Sequence, residues 1–206
     1  MVAGCVVDRT TRRLLVAALV LLSVTAAYLP VSDAWTSIGT GCRYDPKNDD
    51  DGLGLGFNTG GSLYDADERL KVEHAASSWN AAMVPNFTVV TWGSSKQDLK
   101  VTWANLGASI GGRLSYTCGS NHWTQDPTFS FGANATYYVA SAGRRKAIAI
   151  HELGHSYGLH HNSTAGCGAG AGLMASNAVG KYDLCLWSGP TADDVTGATT
   201  RHNAGS

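Results

Sequence analysis

From His151 to His161 the chain reads His-Glu-Leu-Gly-His-Ser-Tyr-Gly-Leu-His-His, and no other stretch constrains the fold so tightly. His151 and His155 are one helical turn apart, which sets both imidazoles on one face, where their nitrogens can reach a single metal ion. Glu152 follows His151, so its carboxylate points to the side of that face, within reach of a metal-bound water without having to bind the metal. Gly158 can take a left-handed backbone and end the helix. The chain then turns back and can bring His161 to the metal from another direction. Three neutral imidazoles and a water make an open, four-coordinate zinc site, whereas structural zinc is closed by four protein ligands, usually with cysteines. His160 rivals His161 as the third ligand; the register of the motif favours His161 and puts His160 beside the site. A chance match to the five fixed positions of HExxHxxGxxH is rare in a chain of this size at ordinary residue frequencies. The plainer reading is a helix with surface histidines.

The rest of the chain must supply a scaffold for that helix. With 206 residues, 44% hydrophobic and 15% charged, it can build one domain with a buried core, and it is too apolar and too weakly charged for disorder. The motif falls on a helix expected over 144–157. An earlier helix is expected over 65–83. Asp65 and Glu68 stand close to a capping-box spacing there, Val72, Ala76, Trp79 and Met83 recur at helical intervals, and Pro85 ends the run. Runs rich in Val, Thr and aromatics predict strands over 53–57, 87–92, 99–103, 113–118 and 135–139. A short last helix is expected over 190–200, with Ser188 or Thr191 near its cap. This order predicts an α+β fold: one domain in which a twisted mixed β-sheet packs on two long helices plus a C-terminal helix.

The N-terminus reads as a targeting segment. Arg9, Arg12 and Arg13 precede an apolar run over 14–27, and Ala27 and Ala34 offer small residues at a cleavage site. Residues 1–34 are therefore read as a secretory signal peptide and 35–206 as the mature, secreted, extracellular domain. A retained N-terminal anchor is the competing reading, and the Arg12-Arg13 pair faintly resembles a twin-arginine signal. No later stretch reaches a membrane-spanning apolar length, so the mature chain is expected off the membrane. Cleavage removes Cys5 and leaves Cys42, Cys118, Cys167 and Cys185. An even number in an exported chain favours two disulfides over free thiols, and zinc binding by these cysteines lacks a CxxC spacing. Three pairings are open. Cys42–Cys118 with Cys167–Cys185 is favoured, because the second pair closes a glycine-rich loop locally. The formal charge is −1 and no basic stripe occurs, so nucleic-acid binding has no electrostatic support. Asn86, Asn134 and Asn162 open glycosylation sequons, which matter only in a host that glycosylates exported chains.

On these residues the sequence resembles the metzincin zinc metallopeptidases, and most closely the matrixins. The resemblance implies one catalytic Zn2+ on His151, His155 and His161, with Glu152 as general base. It also implies a Met-turn beneath the zinc ligands, matched by Gly172-Leu173-Met174-Ala175. The run Thr191-Ala192-Asp193-Asp194-Val195-Thr196-Gly197 is similar to the start of the matrixin C-terminal helix, whose paired aspartates support the region under the site. Helix N-terminal acids favoured by the dipole give a plainer account of the pair. Trp79-Asn80 and Asp98-Leu99-Lys100-Val101 also follow the matrixin order. The chain departs from the family in having no PRCG prodomain stretch and no glycine-rich insert for a second zinc and calcium. Asp49-Asp50-Asp51-Gly52 resembles a calcium loop, but Lys47 stands where the first ligand should be and no Glu closes it, so Ca2+ is a weakly supported second metal. Cys42 could reach the zinc as a latency device, although a disulfide is favoured. A compact bacterial-type member fits the short chain best.

The implied function is a zinc endopeptidase acting as a monomer on polypeptide. Glu152 would take a proton from the attacking water and pass it to the leaving amine, while the zinc polarises the carbonyl. Substrate would lie extended along an edge strand, for which 135–139 or the segment just before it is the candidate. Residues after His161, to about Trp187, would wall the side-chain pocket. Tyr157 and Tyr182 read as packing rather than as helpers at the zinc. Two alternatives stand beside this reading. One is a catalytically silent secreted metal-binding or adhesion module of the same fold, which the intact Glu152 and histidines disfavour. The other is a zinc hydrolase acting on a non-peptide amide.

Overall fold

The computed structural model describes residues 36–37, 42, 52–82, 86–119, 123–135, 140–162 and 164–203. The expected signal peptide 1–34, Trp35, the calcium-loop residues Lys47, Asp49, Asp50 and Asp51, and Met83, Pro85 and residues 136–139 lie outside them. By their contacts the described residues belong to one compact unit. Strand β1 (Thr36–Ser37) pairs antiparallel with β7 (Leu159–His160). The larger sheet takes β2 (Leu53–Phe57), β3 (Phe87–Val90), β4 (Leu99–Ala104), β5 (Gly112–Ser115) and β6 (Thr128–Gly132) in the spatial order β3–β2–β4–β6–β5. Its pairings are parallel except for β5, which runs antiparallel to β6. Among the described residues four helices accompany it: α1 (Ala66–Asn80), α2 (Ala142–Ser156), α3 (Ala178–Cys185) and α4 (Ala192–Asn203). The chain is thus mixed α and β, compatible with the α+β expectation, with one helix more than the sequence suggests.

The sheet has one dry face. Leu53, Leu55 and Phe57 of β2, Leu99, Val101 and Trp103 of β4, and Phe129 and Phe131 of β6 join a single core cluster with α1 and α2. Residues between them face the other way, where Thr102 and Ser130 hydroxyls meet across β4 and β6 at 3.2 Å. This alternation is the mark of a sheet packed on one side. Strand β2 is an exception, because both its faces are covered. A Cβ on Gly54 would strike the Lys96 carbonyl, so glycine lets the 94–98 turn close over the strand and Asp98 receive the Gly54 N–H at 2.7 Å.

Helix α1 connects parallel β2 and β3, the arrangement a crossover helix requires. Asp65 caps it by accepting the Asp67 and Glu68 N–H groups at 2.8 and 3.0 Å. Val72, Ala75, Ala76 and Trp79 form its buried stripe. Asn80 then clamps the start of β3, donating to the Phe87 carbonyl at 2.8 Å and accepting the Phe87 N–H at 2.6 Å. Helix α2 starts at the cap Ser141, is buried continuously from Ala147 to Gly154, and packs on α1, where the Trp79 indole donates to the Ile150 carbonyl at 3.0 Å.

Two strand expectations need correction. The strand expected over 113–118 is β5 and ends at Ser115; Cys118 makes only an isolated bridge to Trp123. The strand expected over 135–139 lies, from residue 136 on, outside the described residues; Ala135 is buried, and β6 ends just upstream of it. Since β6 is paired on both sides, the segment before 135 is not a free edge; among the described residues the sheet ends in β5 on that side and in β3 on the other. Disulfides join Cys42 to Cys118 and Cys167 to Cys185, closing separations of 76 and 18 residues. Two disulfides suggest an extracellular or secreted setting. Among the described residues no helix is long and apolar enough to cross a membrane.

Candidate metal centre

Helix α2 delivers His151 and His155 one turn apart, and its end delivers the third imidazole. Tyr157 is the last helical cap, Gly158 follows with φ +83°, and the chain reverses into β7 before His161. The ligand nitrogens of His151, His155 and His161 lie within 4.8 Å of one another, with His151 Nε2 at 3.1 Å from both His155 Nε2 and His161 Nε2. His160 is exposed beside His161, with ring centres 5.3 Å apart, and is not part of the cluster.

The other ring nitrogens settle what these atoms can do. His151 Nδ1 is 2.7 Å from the Leu173 carbonyl and His155 Nδ1 is 2.6 Å from the Leu159 carbonyl. A carbonyl only accepts, so each Nδ1 carries the proton, and a neutral imidazole has only one. Both Nε2 atoms are therefore bare lone pairs facing each other at hydrogen-bond distance, an arrangement that repels unless a cation sits between them. The rings are kept neutral. Burial, then the neighbouring His155, holds His151 well below the usual range, and burial takes His155 down to about 4. His161 is lowered by burial and then by His160. Tetrahedral nitrogen ligands at zinc distances stand roughly 3.3 Å apart, so the spacing and donor set fit a metal ion. The group can hold one; which metal is a further question.

Glu152 is buried beside the histidines. Burial pushes its carboxyl up to about 8, against the Leu114 N–H and the Arg113 charge. It meets β5 at Gly112, where a Cβ would come within 2.7 Å of Ile148 Cγ2 and 2.9 Å of Glu152 Cγ. The edge strand thus lies directly over the carboxylate because residue 112 has no side chain. A cavity of about 320 Å³ opens beside Glu152, with Ile110, Ile148, Ala178 and Val179 giving it apolar walls and Ser176 and Asn177 a polar rim. A second, of about 240 Å³, lies towards Tyr116, His155 and His160.

The floor beneath the ligands is built by the turn at 172–175. Met174 is fully buried, with its sulfur against Gly154, where a Cβ would also lie 3.1 Å from Trp79 Cζ2. The turn is tied to the ligand segment, since the Asn162 N–H donates to the Met174 carbonyl at 2.9 Å. Its anchor is Asp194, 1% exposed, whose carboxylate accepts the Leu173 N–H at 3.0 Å, the Met174 N–H at 3.3 Å and the Thr191 N–H at 2.9 Å. Burial raises the Asp194 carboxyl and these bonds oppose it. Asp193 has no such role; the pair divides into one buried anchor and one residue on the open side of α4. Tyr157 packs between Trp79 and Phe87, ring centres 5.0 and 5.2 Å away, and Tyr182 packs against Gly143. Asn162 is 4% exposed, so the folded chain cannot present that sequon, whereas Asn86 and Asn134 are exposed.

Gly112, Gly154 and the division of labour between Asp193 and Asp194 are not singled out by the sequence reading. The first two could have been suspected only as glycines inside otherwise regular elements.

No family model matches the chain, and no curated protein matches it. Among solved structures, a chain of the GM1-bound form of the ECX AB5 holotoxin is similar at 11% identity and a TM-score of 0.48, covering 84% of this chain and 90% of that one. A likeness at that level carries no inference about fold or activity.

Proposed function

We propose that the chain is a secreted zinc-dependent endopeptidase of the metzincin type, matrixin-like, with His151, His155 and His161 as zinc ligands and Glu152 as general base. The observation that carries this reading is the convergence of three imidazoles, with the bare Nε2 atoms of His151 and His155 fixed by carbonyls on their Nδ1 atoms, beside a buried carboxylate on an open cleft. The Met174 turn under the ligands, anchored by Asp194, supports the metzincin assignment. Zinc held there supplies a lowered pKa for bound water and polarises a carbonyl oxygen. Glu152 holds the proton taken from the attacking water on its carboxylate and passes it to the leaving amine. A cation on the histidines favours the charged form of Glu152, drawing it down from its buried value towards working pH. Among the described residues β5 ends the sheet on its side, and its outer edge, running over Glu152, offers main-chain groups to an extended polypeptide.

Glu152→Ala tests the assignment. The variant is expected to keep one zinc per chain and the wild-type fold while losing turnover of casein and of quenched-fluorescence peptides by at least about a hundredfold. Turnover near the wild-type rate would remove Glu152 from the mechanism.

A further inference from the structure

A third cavity, of about 310 Å³, lies beyond the one beside Glu152, and Ser176 and Asn177 line both. A polypeptide leaving the first cavity over this shared wall meets the second. Its charged lining residue is Lys181 of α3, and no acidic side chain lines it. Lys181 Nζ donates to the Thr164 carbonyl at 2.5 Å and to the Gly166 carbonyl at 2.7 Å. An ammonium has three N–H donors, so these neutral acceptors leave capacity for a third partner and leave the charge without a counter-ion. The acid two residues along, Asp183, is engaged elsewhere, receiving Arg144 Nε at 3.0 Å and Nη2 at 2.8 Å. Asn177 adds donors on the shared wall. Its Oδ1 accepts the Gly180 N–H at 2.8 Å, and its amide NH₂ lies alongside Gly180, which also lines the cavity. The Cys167–Cys185 disulfide closes the loop that carries these carbonyls onto the end of α3, so the ammonium is held in a constrained frame.

We infer that this cavity is a second substrate subsite, which takes a carboxylate-bearing side chain of the polypeptide at a position away from the cleaved bond. Cation, amide donors and hydroxyl, with no anion among the lining residues, are the chemistry that recognises a carboxylate. The inference rests on the endopeptidase reading above. The chain would then favour substrates with an Asp or Glu at one fixed distance from the cut.

The test uses quenched-fluorescence peptides with one cleavable bond, placing Glu, Gln or Lys in turn at each position on both sides of it. At one position Glu is expected to exceed Gln in kcat/KM by about fivefold or more, mostly through KM. Lys181→Gln should bring that ratio to about one, Lys181→Glu should invert it in favour of the Lys peptide, and Lys181→Arg should keep it. The inversion and the arginine rescue separate charge recognition from the structural tie to Thr164 and Gly166. A Tm for each variant shows that it is folded, and the ratios are read only within one variant. If the wild type cleaves these peptides with no position preferring Glu over Gln, or if Lys181→Glu keeps the preference, the subsite is refuted while the endopeptidase stands. If no peptide and no casein is cleaved, both fall together.

Discussion

Replacing Asp194 by alanine removes the anchor of the turn on which the metal centre rests. Its carboxylate accepts the N–H groups of Leu173 and Met174, which are buried, and the N–H and hydroxyl of Thr191, which are half-buried. Each buried donor left without a partner costs about 1–3 kcal/mol. The desolvation cost that already raises the carboxyl offsets part of this. The net loss should be about 3–5 kcal/mol, at the upper end for a point substitution. In a domain of this size that lowers Tm by roughly 6–20 °C. The effect should also reach the metal. Leu173 both donates to Asp194 and accepts from His151 Nδ1, so a loosened turn releases the ring that orients the ligand. Zinc affinity is expected to fall about tenfold or more, as it does when partners of a metal-bound histidine are removed. The assay is urea unfolding of the metal-free chain, followed by zinc competition against a chromophoric chelator. Asp193→Ala is the internal control and should stay within about 0.5 kcal/mol of wild type. A loss under about 1 kcal/mol for Asp194→Ala, or an equal loss for Asp193→Ala, would refute the anchoring role.

Two further outcomes follow from buried groups. Glu68 sits at 5% exposure, and burial, then Asp65, pushes its carboxyl from 4.5 up to about 7, with Trp103 and the Arg145 charge opposing. A raised folded pKa contributes stability that is complete below about pH 4.5 and is lost as pH climbs to about 7, by up to about 3 kcal/mol. Glu68→Gln should flatten that part of the pH–stability curve of the metal-free chain, measured by urea midpoints; an unchanged slope between pH 4.5 and 7 would show that Glu68 titrates normally. Gly154→Ala would gain about 1 kcal/mol on an exposed helix. Here the added methyl meets the Met174 sulfur and the Trp79 ring, so a loss of about 1–3 kcal/mol is expected in the same assay, and a gain would mean that the turn yields freely.

The parts of the molecule visible in the sequence are those governed by local spacing. The Asp65 cap, the Val72, Ala76 and Trp79 stripe and the His151, His155, Gly158 and His161 run each lie within a few turns of one helix, and periodicity reads them directly. So do β2 and β4, whose Leu and Val repeat at every second residue. The rest depends on contacts between segments. Strand β6 alternates Phe129 with Phe131, but it is short and its burial comes from both neighbours. Helix α3 is eight residues long, contains Gly180 and buries only Ala178 and Val179 along its length, so it has little periodic signal; Asn177 as a cap is the one local hint. Gly154 looks like a weak helix former until Met174 and Trp79 are seen against it. The aspartate pair divides its roles because only Asp194 stands on the helix face turned to Leu173, which the sequence does not place. The segment before 135 is not an edge for a related reason: which strand is paired on both sides is a property of sheet order, not of composition.

The most direct test of the central claim is a zinc titration of the metal-free mature chain, with cleavage of a quenched-fluorescence peptide read at each addition. Activity should be absent without metal, rise in proportion to zinc, level off at one equivalent per chain, and vanish again when a strong chelator is added. Cleavage that persists in the metal-free chain, or zinc bound at one equivalent with no cleavage of casein or any peptide, would contradict the account.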